Sequence, residues 1–71
     1  MRVKIQGRFI KLGQLIKKLN FTDTGGQAKL FVKTHKIIIN NIEGGTRNTK
    51  VWANSTVWID DQVFYIVEDE R

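Results

Sequence analysis

Lys29, Lys33 and Lys36 fall at i, i+4 and i+7, a spacing that gathers side chains on one face of a helix. Like charges so placed repel each other, which leaves two readings open. The row is a solvated face, or it meets an anion. As point charges, three ammonium groups in line can straddle a phosphate backbone. Lys11, Lys17 and Lys18 can extend that surface from an earlier segment. Arg47 and Lys50 can close it from a later loop, Arg47 offering a planar fork to a phosphate. Gly25-Gly26 has two readings as well. Bare backbone N–H groups at a helix start can approach an anion closely, and a tight turn can need the same glycines. No nucleotide-binding P-loop is present, because the Gly-Lys-Ser/Thr ending is missing.

Other chemistries find little support. One histidine and no cysteine cannot build a zinc site. Asp60-Asp61 and Glu68-Asp69-Glu70 lack the spacing of a calcium loop and read as a turn and a solvated tail. No nucleophile with a neighbouring base is evident, and so short a chain has little room for a closed pocket. Neither catalysis nor a cofactor is expected. Phe21, Trp52, Trp58 and Tyr65 can stack on bases. Packing in a small core is the stronger expectation for all four, and His35 is expected as a packed or hydrogen-bonded group.

These groups must be carried by one small domain, residues 1–71. The chain has a net charge of +5, unevenly spread. Eleven Lys/Arg stand against two acids, Asp23 and Glu43, in the first 50 residues. A basic body of this kind suits an anionic partner. The absence of cysteine, of a signal peptide and of any bilayer-length apolar run leads us to expect a cytoplasmic protein with no membrane contact.

Alternation over 3–6 predicts a strand ended by Gly7. Leu12, Leu15, Ile16 and Leu19 form the apolar stripe of a helix over 12–19. After a loop, Thr24 caps a second helix over 26–35, with Ala28, Phe31, Val32 and His35 inward. Strands follow at 37–39, 51–52, 56–59 and 63–67, with a turn at Asn40-Asn41 and a loop from Gly44-Gly45. The last strand is apolar on both faces, which predicts burial between layers. The order predicts an α+β fold, a helical hairpin packed on a small, mainly antiparallel sheet.

Certain residues carry a resemblance. Thr24-Gly25-Gly26-Gln27-Ala28-Lys29 is followed by Ile37-Ile38-Ile39-Asn40-Asn41, with Ala28 and Asn40 twelve apart. Leu12-Gly13-Gln14 precedes them, and Arg47-Asn48-Thr49-Lys50 follows. This ordered set, over residues 9–67, resembles the S4 RNA-binding domain, in particular the stand-alone bacterial S4 proteins of the YaaA and YbcJ type. Gly25 and Gly13 stand where other S4 domains have arginine and aspartate, as they do in that type. His35 and Asn54-Ser55 replace a glycine and a Gly-Asp pair. The resemblance implies the S4 αL-like fold and binding of structured RNA, ribosomal RNA or ribosome-assembly components included. It implies contacts from Lys11, Gln14, Lys17, Lys18, Gly25, Gly26, Gln27, Lys29, Lys33, Lys36, Arg47 and Lys50. The rival reading is an adaptor that docks the same basic surface on an acidic protein of a ribosome-assembly or replication complex.

Overall fold

The computed structural model describes residues 1–69. In chain order it has β1 (Arg2–Ile5), β2 (Phe9–Lys11), α1 (Leu12–Lys18), α2 (Gly25–Thr34), β3 (Ile37–Ile39), β4 (Ile42–Glu43), β5 (Lys50–Trp52), β6 (Thr56–Ile59) and β7 (Gln62–Glu68). Five strands form one sheet in the order β1-β7-β6-β3-β4. Every pairing in it is antiparallel except β1 with β7. A separate antiparallel ribbon joins β2 to β5.

The apolar stripe of α1 lands as its spacing requires, with Leu12, Leu15 and Ile16 fully buried. Asn20, at φ 65, ends the helix, since asparagine tolerates the left-handed region. Thr24 caps α2, its hydroxyl accepting the Gln27 N–H at 3.2 Å. Ala28 and Phe31 then face the core beside Val3, Ile5, Ile37, Val51, Val57, Ile59, Phe64 and Ile66. Asn40 and Asn41, at φ 50 and 71, form the two-residue turn whose twist suits a hairpin. Asn40 also anchors the neighbouring turn. Its amide donates to the buried Ser55 hydroxyl at 3.1 Å, and its carbonyl oxygen accepts the Thr56 N–H at 3.0 Å.

Four expectations need correction. β2 and β4 are additional strands, too short to show a period. The last strand is not buried between layers: Phe64 and Ile66 are buried, but Tyr65 is 48% exposed on the other side, as is Trp58 of the neighbouring β6 at 41%. Helix α2 starts at Gly25 and stops at Thr34. His35 therefore has extended backbone, φ −119 and ψ 152, and lies off the helix with Lys36. Finally, His35 is not on an inward stripe, although it is packed and bonded. Its ring stacks on Phe31 at 3.8 Å, and Nδ1 sits 2.8 Å from Asp60 Oδ2.

Asp60 holds this corner. It also accepts the Lys36 N–H at 3.2 Å, and its own φ of 54 makes the β6–β7 turn. The His35 hydrogen bond, then the Lys36 N–H, hold its carboxyl below the usual aspartate range. A lowered folded pKa gives stability that is present above the ordinary aspartate pKa and lost as pH falls through the folded value. Asp60→Asn, which keeps a residue suited to positive φ, should therefore melt below wild type at neutral pH. The gap should close in acid, which melting curves across pH will check.

Candidate nucleic-acid interface

The loop between β4 and β5 builds the site. Gly44 and Gly45, at φ 102 and 127, reverse the chain in a conformation that other residues resist. Thr46 and Thr49 then lock the loop. The Thr46 N–H donates to Thr49 Oγ1 at 2.9 Å, and the Asn48 N–H to Thr46 Oγ1 at 3.2 Å. The locked loop aims two carbonyls at the start of α1. Leu12 N–H donates to Thr49 O and Gly13 N–H to Arg47 O, both at 2.8 Å. Lys11 supplies no side-chain cap, so these carbonyls satisfy N–H groups that a helix start leaves unpaired.

Gly13 makes the approach possible. A Cβ there would lie 3.0 Å from Arg47 Cβ and 3.2 Å from Arg47 O. Arg47 reaches on to α2, where Nη1 donates to Gly25 O at 3.2 Å. One residue thus bridges the first turns of both helices, its carbonyl bonded to α1 and its side chain to α2. Its remaining guanidinium N–H groups have no partner among the described residues.

Two clefts flank this bridge, and Arg47 and Asn48 belong to both. One, of about 270 Å³, is lined by Lys29, Val32, Lys33, Gly45 and Thr46. The other, of about 240 Å³, is lined by Lys11, Gly13, Gln14, Lys17, Gly25 and Ala28. Among the described residues no carboxylate lines either cleft. Among the described residues no ion pair neutralises Lys11, Lys17, Lys29, Lys33 or Arg47. The surface is therefore a run of uncompensated positive charge around two concavities, which attracts anions.

Seven of the expected residues come together here: Lys11, Gln14, Lys17, Gly25, Lys29, Lys33 and Arg47. The others do not line the clefts. Gly26 is exposed on the first turn of α2 with open space around it. The Gln27 side chain accepts the Asp23 N–H at 2.8 Å, which makes it part of the helix cap. Lys18 is exposed in the last turn of α1. Lys36 lies past the end of α2, so the row of three lysines is a pair. Lys50 projects over Phe9 and Trp52, its Nζ 4.7 and 5.9 Å from the ring centroids. Asn48 was absent from the expected contacts, although the Gly-Gly-Thr-Arg-Asn-Thr run signals a compact polar turn. The expectation of buried aromatics holds for Phe21, half-buried against Phe31 and Phe64. It fails for Trp58 and Tyr65, because the helices cover only one face of the five-stranded sheet, and for Trp52, which lies on the outward face of the β2–β5 ribbon.

A helical hairpin thus lies on a mainly antiparallel sheet, with a basic loop docked across both helix starts. The S4 domain model matches residues 3–67, and the chain belongs to the S4 domain family. Among curated proteins it is similar to the probable ribosome maturation protein RlbA of Bacillus subtilis (strain 168), with 29% identity over 58 residues, 82% of each chain. No solved structure is a significant match. No helix among the described residues is long and apolar enough to cross a membrane.

Two glycines give opposite expectations. Gly13→Ala should cost about 1–2 kcal/mol, the ~1–3 kcal/mol of overpacking less up to ~1 kcal/mol of helix propensity. Gly26→Ala meets nothing within 4 Å and should gain up to ~1 kcal/mol. Denaturant titration of both variants will check the contrast.

Proposed function

We propose that this S4-domain protein is a non-catalytic binder of structured RNA, ribosomal RNA in particular, and that it works in the cytoplasm. The observation that carries the reading is the Arg47 bridge, with a cationic cleft on either side and no carboxylate lining either one. RNA duplexes hide their base edges in a deep, narrow groove, so a protein holds them mainly by phosphates, 2′-hydroxyls and shape. Lys29 and Lys33 serve one strand of phosphates as point charges. Lys11 and Lys17 serve another, with Gln14 placed for a 2′-hydroxyl or a phosphate oxygen. Arg47 presents its free N–H groups to the phosphate between them. The name of the Bacillus subtilis relative, a probable ribosome maturation protein, supports ribosomal RNA as the target. Lack of cysteine agrees with a reducing compartment.

Binding of this kind displaces counterions. With three to five phosphates neutralised, log affinity should fall against log salt with a slope of roughly −2 to −4.5. Changing Lys17, Lys29 and Lys33 together to glutamate should weaken binding roughly 100-fold or more and flatten that slope. Lys36→Glu, outside the clefts, should change affinity by only about twofold, since its charge acts through screening solvent. Filter binding over a salt series measures all three. A flat salt response in wild type would point instead to an adaptor docking on a protein.

A further inference from the structure

The outward face of the β2–β5 ribbon carries four side chains, and three of them, Phe9, Lys50 and Trp52, are not used by anything described so far. Phe9 pairs across the ribbon with Trp52, and Lys11 with Lys50. The period-two alternation of strands puts all four on one side, while Ile10 and Val51 turn inward. Phe9 and Trp52 are 37% and 50% exposed, with ring centroids 5.1 Å apart. Two lysines stand directly opposite one another, an arrangement that disfavours pairing unless an anion joins them. Lys11 also lines the cleft of Gln14, Lys17 and Arg47. The aromatic pair thus begins where the cationic cleft ends.

We propose that this ribbon face is a stacking platform for an unpaired nucleotide next to the duplex held in the clefts, a proposal that rests on the RNA-binding reading above. Trp52, braced by Phe9, offers its ring to the base. Stacking is sequence-tolerant because every base has a π-face. Lys50, held over the rings, then meets the phosphate of that nucleotide, and Lys11 meets the phosphate that links it to the duplex. Such a site favours RNA with a bulge, a loop or a single-stranded flank over an unbroken helix.

The probes are a short blunt RNA duplex and the same duplex with an oligoadenosine overhang. The protein is tested in a Trp58→Phe background, so that fluorescence reports Trp52 alone. The overhang should tighten binding about fivefold or more and quench Trp52, and the blunt duplex should leave its emission unchanged. Trp52→Leu keeps an apolar side chain but removes the π-face. It should abolish the overhang preference and leave blunt-duplex affinity intact, and Trp52→Phe should restore part of the preference. An equal affinity for both RNAs, or a preference that survives Trp52→Leu, would overturn the platform while leaving the clefts standing. Failure of wild type to bind either RNA would overturn both readings. Capture of a protein that depends on Trp52, with no overhang preference, would assign the ribbon to protein docking instead.

Discussion

Two backbone hydrogen bonds hold the functional end of this molecule together, those from the Leu12 and Gly13 amides to the 46–49 loop. A helix start leaves amides without intrahelical partners, and burying them unpaired is costly. The loop answers that need with carbonyls, and the absent side chain at Gly13 lets it come close enough to do so. Arg47 is placed by this contact and by its own bond to the Gly25 carbonyl, ahead of any ligand. The same bonds that complete a helix therefore aim a guanidinium between two lysine-lined hollows.

The cost of the arrangement is electrostatic. Lys11, Lys17, Lys29, Lys33 and Arg47 crowd together in an 8.2 kDa domain with no ion-pair partner among the described residues. Salt screens such repulsion over roughly 10 Å, so the fold tolerates it. The core beneath is apolar, and the polar Ser55 within it is hydrogen-bonded by Asn40. The apolar side chains that stabilise the fold and the charges that the proposed binding would use are thereby separated.

Much of this was legible in the residues. The stripe from Leu12 to Ile16, the Thr24 cap and the Asn40-Asn41 turn are local patterns, and local geometry obeyed them. The S4 resemblance set out from the motifs agrees with the family to which the chain belongs. What was not legible depends on distant contacts. Pairing of Phe9 with Trp52 joins segments that show no alternation of their own. Lys36 looks like a third member of a helical row, but the last helical bond is that from the His35 N–H to the Phe31 carbonyl, and Asp60, far along the chain, captures the next amide, that of Lys36. Periodicity also could not say which sheet face the helices leave bare, and so it misplaced Trp58 and Tyr65. Within the candidate site, spacing identified the cations but not the loop docking that assembles them.

The parallel pairing of β1 with β7 sets Arg2 beside Tyr65, and the Met1 carbonyl accepts the Tyr65 N–H at 2.8 Å. On a nascent chain the first strand has no neighbour until the last has been made. Contacts of such long sequence separation are slow to form, because the whole intervening loop must be closed first. The helical hairpin and the basic loop can take shape early, whereas the sheet that supports them closes only once β7 has been made and can pair with β1.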